Sequence, residues 1–231
     1  MATVLITGAN RGIGLEMARL YAERGDQVIA CCRAPDQAEA LQALAAKHDA
    51  LSVEAVVVGD GSSVTALKER LGDRPIDILI NNAGMAGPPP EAQNAAAMDF
   101  DGWMETFNIN TMAPLRVVQA LRPNLAAGTD AKAVTITSQM GALSLDMPVM
   151  YAYCSSKAAV NKVMKMYAAD AAKDSIAVQL IHPGWVKTDM GGPQAAIEPE
   201  ESAAGILKVV DDLSMANTAS FKQWNGEDHA W

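Results

Sequence analysis

The feature that most constrains this fold is an alternation of short apolar runs with longer segments of helical periodicity. Val4–Thr7, Gln27–Cys32, Ser52–Val58, Ile76–Asn81, Ala133–Thr137 and Ala177–Ile181 are short runs rich in apolar residues and bounded by turn formers. Between them, Leu15–Arg24, Ala38–Lys47, Val64–Leu71, Phe107–Leu125 and Lys157–Ala172 place apolar residues at helical spacing. The short runs are continuously apolar, as expected of strands covered on both faces. Strands of that kind, joined by helices, predict an α/β chain with a doubly wound parallel sheet and helices on both faces.

The 231 residues are 50% hydrophobic, enough to fill one large core, and no long polar linker divides them. Residues 1–231 are therefore expected to form one domain. The net charge of −9, with no Lys/Arg cluster against it, predicts no nucleic-acid partner. Cys31, Cys32 and Cys154 cannot all pair and none stands at zinc-ligand spacing, so reduced thiols and no metal site are expected. Met1–Ile6 leads straight into a strand without the marks of a secretory signal, and no apolar stretch is long enough to span a bilayer. The expected location is the cytoplasm, without membrane attachment.

Ligands of a doubly wound sheet lie beyond the carboxyl ends of its strands. At the first such end stands Thr7-Gly8-Ala9-Asn10-Arg11-Gly12-Ile13-Gly14, which opens a helix. Glycines there let backbone approach a pyrophosphate, and the helix start supplies amide donors. Gly8, Asn10, Arg11, Gly12, Ile13 and Gly14 are thus candidate dinucleotide contacts. The second strand ends on Cys32-Arg33 rather than on an acid that would bind a ribose 2′-hydroxyl. A guanidinium at Arg33, with Arg11 as a second cation, suits a 2′-phosphate, which favours NADP(H) over NAD(H). The plain alternative for Arg33 is a solvated loop residue. After the fourth run, Asn82, Ala83 and Gly84 form a small-residue turn that can lie against a cofactor.

Ser138 ends the fifth run, and Tyr153-Cys154-Ser155-Ser156-Lys157 opens a helix soon after. Tyr and Lys four apart share a helix face, where an ammonium stabilises a phenolate and lowers the tyrosine pKa. Such a tyrosine can exchange protons with an alcohol or carbonyl, and a serine hydroxyl can hold the substrate oxygen. Tyr151 has the same chemistry but lies six residues from Lys157, on another face, so Tyr153 is preferred.

Together these motifs resemble the short-chain dehydrogenase/reductase family over essentially the whole chain. The matching elements are Thr7 to Gly14, Asn81 to Gly84, Asn110, Ser138, Tyr153 with Lys157, and His182-Pro183-Gly184. The resemblance implies a Rossmann fold and a catalytic set of Asn110, Ser138, Tyr153 and Lys157. It makes Tyr153 the acid/base, has Lys157 bind the nicotinamide ribose and tune Tyr153, and gives Asn110 a water of the proton relay. Asn108 is the rival for that place; Ala113, three residues after Asn110, favours Asn110. Tyr151–Asn161, His182–Gly192 and Phe221–Gly226 resemble the C-signal and sniffer-type carbonyl reductase branch. That likeness implies that Pro183, Gly184, Val186 and Thr188 pack around the nicotinamide, with a lid after Met190. It also implies a homodimer or homotetramer with the Asn110 and Tyr153–Lys157 helices at the interface. The family often places Asp after the third strand to bind adenine. Asp60 takes that place with a shortened loop, whereas a gapless count puts Val57 there.

Met85, Gln139, Met140, Met147, Tyr151, Trp185 and Met190 flank these motifs and, with Ser138, are the candidate substrate contacts; as many are apolar or soft, they suit a hydrophobic carbonyl or alcohol. The expected function is NADPH-dependent hydride transfer between nicotinamide and such a small molecule. The alternative is a dinucleotide-binding signalling or regulatory protein with little turnover. An epimerase or dehydratase of the longer relatives needs a further substrate domain, for which 231 residues leave little room.

Overall fold

The computed structural model describes residues 1–146 and 149–231. Its strands are β1 (Thr3–Thr7), β2 (Gln27–Cys32), β3 (Leu51–Ala55), β4 (Ile78–Asn81), β5 (Lys132–Ile136), β6 (Ala177–His182) and β7 (Ser220–Gln223). They form one seven-stranded sheet in the order β3-β2-β1-β4-β5-β6-β7. Every pairing is parallel. The helices are α1 (Gly12–Glu23), α2 (Glu39–Ala45), α3 (Gly61–Leu71), α4 (Phe100–Phe107), α5 (Ala113–Ala120), α6 (Arg122–Ala126), α7 (Tyr151–Ala171) and α8 (Pro199–Asp211).

Two cores explain the continuous apolar runs. Leu5, Ile29, Leu79 and Val178 pack toward α3, α5 and α7. Their sequence neighbours Val4, Ile6, Val28, Ala30, Ile78 and Ile80 pack toward α1, α2 and α8. Successive side chains of a strand point to opposite faces, so two covered faces require apolar residues at every position. This is the doubly wound parallel sheet expected from the alternation, and the Rossmann fold that the resemblance implies. The chain reverses its direction of travel across the sheet between β3 and β4, and the β1–β4 carboxyl ends flank that switch point.

Several boundaries differ from the sequence expectation. The third strand stops at Ala55 rather than Val58, because Ala55 pairs with Cys32, the last residue of β2. The segment expected as one helix over Phe107–Leu125 is divided. It begins earlier, at Phe100, where Asp99 accepts a hydrogen bond from the Gly102 amide at 2.9 Å. It widens into a π turn at Asn108–Met112 and breaks at Leu121 before Pro123, whose ring removes an amide donor. α7 starts at Tyr151 instead of Lys157. Neither α8 nor β7 stood out in the sequence. α8 has Pro199 in its first turn, Glu200 and Glu201 beside it, and Lys208 in its last turn, a charge order that suits its dipole. β7 is an edge strand whose only buried side chain is Phe221, so its pattern is too short to read.

All three cysteines are free. Among the described residues, no helix is long and apolar enough to cross a membrane, and no cluster of ligating side chains could hold a metal ion. Leu79 is fully buried at the centre of the sheet. Leu79→Ala is expected to lower unfolding free energy by about 3 kcal/mol in urea titration; a loss below about 1 kcal/mol would contradict the packing described.

Candidate active site

The turns after β1 and β4 are stitched together. Thr7 Oγ1 accepts hydrogen bonds from the amides of Asn82 and Ala83, both at 3.1 Å. Asn82 Nδ2 donates to the carbonyls of Thr7 and Gly8, both at 3.0 Å. The glycines permit this closeness. Gly8 has φ +67°, and a Cβ there would lie 2.9 Å from Ala83 Cα. A Cβ on Gly14 would come within 2.3 Å of the Gly8 carbonyl oxygen and 2.5 Å of Asn82 Nδ2. At the start of α1, Arg11 supplies no side-chain cap, so the first-turn amides keep their capacity for an anion. Asn10 and Ile13 are half-buried beside them.

The two candidate cations differ. Arg11 forms an ion pair with Asp189 in the segment after β6. Arg33 is exposed just past β2 and has no ion pair among the described residues. Asp60 caps α3: its carboxylate accepts from the amide and hydroxyl of Ser62 at 2.9 and 2.8 Å. Those bonds hold its pKa below the usual carboxylate range. The geometry therefore gives Asp60 a helix-capping role.

The segment after β6 closes on the glycine-rich turn. Gly184 adopts φ +86°, and a Cβ there would lie 2.5 Å from Ile197 Cδ1 and 3.0 Å from the Trp224 ring. Ser202 donates to the Pro183 carbonyl at 2.6 Å, and buried Val186 forms a bridge with Ile197. Thr188 Cγ2 lies 3.1 Å from where a Gly12 Cβ would stand, so β6's loop and the turn of β1 are in contact range. Trp185 is exposed, with its Nε1 donating to the Gly191 carbonyl at 2.9 Å, and Met190 is exposed too. His182 closes β6, packed edge-on against His229, and burial lowers its pKa to about 4.

Ser138, Tyr153 and Lys157 are all buried. Ser138 caps a short turn after β5, its hydroxyl accepting from the Met140 amide at 3.1 Å. One turn of α7 separates Tyr153 from Lys157, and Lys157 Nζ lies 5.7 Å from the Tyr153 ring centroid. Nζ donates to the Ile136 carbonyl at 3.1 Å. That is one acceptor for three ammonium donors, and burial lowers the Lys157 pKa to about 8. Burial also raises the Tyr153 pKa, while a hydrogen bond with Ser138 pulls it partly back. The phenol pKa is thus raised rather than lowered as the Tyr–Lys spacing suggests, and desolvation is the largest cause.

Asn110 sits in the π turn beside this group. Its Nδ2 donates to the Met85 carbonyl at 2.8 Å and to Ser156 Oγ at 3.0 Å, and its Oδ1 accepts from the Met85 amide at 2.9 Å. Asn108 points elsewhere, donating to the Gly59 carbonyl at 3.0 Å and accepting from Arg116. A Cβ on Gly84 would lie 3.3 Å from Asn110 Oδ1 and 3.6 Å from Lys157 Nζ. Backbone at Gly84 therefore borders the lysine. Tyr151 is half-buried at the first position of α7, Gln139 is exposed and Met140 half-buried; Met147 lies outside the described residues.

A supporting layer was not anticipated. Thr137 donates to Asn161 at 2.6 Å, and Thr111 donates to the Ser156 carbonyl at 2.8 Å. Asn161 lies four residues beyond Lys157 on the same helix face, so the spacing that selects Tyr153 and Lys157 also points to it. No comparable signal marks Thr111.

Comparison with known proteins agrees with this arrangement. The family model described as short chain dehydrogenase matches residues 2–198. "C-signal" of Myxococcus xanthus is 37% identical over 158 residues, spanning 68% of this chain and 93% of that protein. The NADPH-bound carbonyl reductase from chicken fatty liver superposes with TM-score 0.92 at 33% identity, covering 100% of this chain and 99% of the other. Carbonyl reductase Sniffer of D. melanogaster superposes with TM-score 0.92 at 28% identity, covering both chains completely. With this sheet order, glycine cradle and Ser–Tyr–Lys cluster, the chain belongs to the short-chain dehydrogenase family, in its C-signal and sniffer-type carbonyl reductase branch.

Proposed function

We propose that the protein is an NADP(H)-dependent reductase of small carbonyl compounds, with Tyr153 as its acid/base. The observation that carries this reading is the buried Tyr153–Lys157 pair, one helical turn apart, with Ser138 buried alongside. It borders a backbone cradle in which a Cβ on Gly8 or Gly14 would collide. When bound, nicotinamide supplies or accepts a hydride at the carbonyl carbon.

The remaining steps belong to the chain. Ser138 holds the substrate oxygen, and Tyr153 passes its phenolic proton to that oxygen during reduction. A phenol with a raised pKa stays protonated at neutral pH and suits proton donation. Lys157 directs its two remaining donors toward the ribose diol, and Asn110 holds Met85 beside it. Gly12, Ile13 and Gly14 present amides to the pyrophosphate, with Asn10 beside them. Ala83, Gly84, Pro183, Gly184, Val186 and Thr188 line the nicotinamide end. Arg33, which has no ion pair among the described residues, receives the 2′-phosphate, a reading supported by the NADPH held by the chicken relative. Arg11 is shared between that phosphate and Asp189. Substrate meets Ser138, Met140 and Tyr151, with Gln139, Trp185 and Met190 at the rim.

Residues 1–231 act as one catalytic domain, and free cysteines fit a reducing cytoplasmic setting. Exposed Phe100, Met104, Met112 and Met166 on and beside α4, α5 and α7 fit a homodimer or homotetramer. A purely regulatory dinucleotide binder is disfavoured, because such a role needs no buried Tyr–Lys pair.

Assay of NADPH oxidation against ketones, aldehydes and quinones tests the reading: turnover is expected in the wild type and a loss of about a thousandfold in Tyr153→Phe. No turnover despite NADPH binding would overturn it. Arg33→Ala is expected to weaken NADPH binding about tenfold or more while leaving NADH unchanged; equal effects on both would remove Arg33 from the phosphate site.

The lowered Lys157 pKa makes a further prediction. Below about pH 8 both folded and unfolded chains hold this proton, and the folded chain bears the full desolvation penalty. Between about 8 and the usual lysine value of 10.5 only the unfolded chain holds it, so folded stability rises with pH there. Lys157→Met should therefore be more stable than wild type at pH 7, by on the order of 3 kcal/mol, and lose that advantage as pH rises toward 10.5. Equal stability at pH 7 would show that the lysine is not buried as a cation.

A further inference from the structure

The first turn of α7, which holds Tyr153, has no cap of its own. Its N-cap residue, Met150, adopts a left-handed conformation with φ +50° and offers no side-chain bond to the helix amides. Helix starts leave their first amides without intrahelical acceptors, and a polar side chain at the cap position ordinarily serves them. Here Gln93 serves two of them. Its backbone carbonyl accepts from the Tyr151 amide at 3.1 Å, and its Oε1 accepts from the Tyr153 amide at 3.2 Å. The side chain comes from 60 residues earlier and is fully buried.

The other end of the same amide holds the segment that borders Lys157. Gln93 Nε2 donates to the carbonyls of Ala86, at 3.1 Å, and of Pro88. Asn110 grips the preceding residue, Met85, through both its amide and its carbonyl, and also reaches Ser156 of α7. Two buried side-chain amides thus fasten residues 85–88 to one helix, Asn110 at Ser156 and Gln93 at Tyr153. Gly87, between them, has φ +83°, and a Cβ there would stand 3.6 Å from Ala152 Cβ. The segment and the first turn of α7 therefore run close together, with no more than a side-chain methyl's width between Gly87 and Ala152.

We infer that Gln93 is a positioning residue that sets the first turn of α7, and with it the Tyr153 phenol, against the cofactor-bordering segment after Gly84. This rests on the role of Tyr153 proposed above. A fully buried amide must satisfy both of its ends, and here the donor end is satisfied by the segment after Gly84 rather than by α7 itself, so one side chain couples the two. Neither Oε1 nor Nε2 can be replaced by an apolar group of the same length, whereas a carboxylate keeps the acceptor and loses the donor.

The test uses the full chain with NADPH and two variants, Gln93→Met and Gln93→Glu. Amide hydrogen exchange is followed at Tyr151–Ser155, alongside NADPH affinity and steady-state kinetics on the carbonyl compound that the wild type turns over best. In Q93M, exchange in that first turn is expected to speed up about tenfold or more while exchange in β1, β4 and β5 stays as in wild type. kcat should fall about tenfold or more, with NADPH affinity within about threefold of wild type. Q93E should keep slow exchange at Tyr153 but not recover the kcat lost in Q93M, because its carboxylate cannot donate to the Ala86 and Pro88 carbonyls; a kcat near wild type in Q93E would overturn the inference. Unchanged exchange in Q93M, or faster exchange with unchanged kcat, would overturn the inference. If Q93M loses protection throughout the sheet, Q93E decides alone: a kcat about tenfold or more below wild type supports the role, and a kcat near wild type refutes it. If no carbonyl compound is turned over by the wild type, the reductase reading fails on that result, while exchange in Q93M still decides whether Gln93 holds the turn.

Discussion

A buried lysine ammonium with one acceptor among the described residues is the constraint around which the rest of the site is built. Lys157 donates to the Ile136 carbonyl and is otherwise enclosed, which lowers its pKa to about 8. An incompletely satisfied buried cation opposes folding. The structure tolerates it because the surrounding sheet is covered on both faces by two extensive cores. Part of that stability is given up where α7, β5 and the turn after β4 meet, as is common where binding sites are built. Backbone borders the lysine at the Ile136 carbonyl and at Gly84, where a Cβ would stand 3.6 Å from Nζ.

The doubly wound topology determines where that constraint falls. β1, β4, β5 and β6 end side by side, and each end contributes one motif: the glycine turn, Asn82–Gly84, Ser138 and Pro183–Thr188. Contacts between these loops, rather than within each, make the site. Thr7 receives two amides from the turn after β4, Asn82 returns two bonds to the turn after β1, and Thr188 meets Gly12. The Arg11–Asp189 ion pair joins the same two loops at the surface, where an exposed pair contributes little stability.

Much of this was legible in the sequence because strict local chemistry governs it. Strands covered on both faces need unbroken apolar runs, a glycine cradle needs glycines, and Tyr and Lys on one face need a spacing of four. The parts that were not legible depend on distant contacts. The π turn that separates Asn108 from Asn110 arises inside an apolar pattern that reads as one helix. α7 begins at Tyr151 because Gln93 supplies a cap from another loop, so no capping residue stands before it. Asp60 illustrates the reverse case. An acid after the third strand reads as a candidate adenine contact, and only the structure shows its bonds to Ser62 at the start of α3.

The central claim is that Lys157 is a buried cation awaiting the hydroxyls of a dinucleotide ribose. Its most direct test is titration of Lys157 Nζ by nitrogen-15 NMR, with and without NADP(H). The account predicts a pKa near 8 in the free protein, and a value raised toward the usual lysine value of about 10.4 once the dinucleotide is bound. A lysine that titrates near its usual value in the free protein, or whose pKa does not rise on binding, would contradict it.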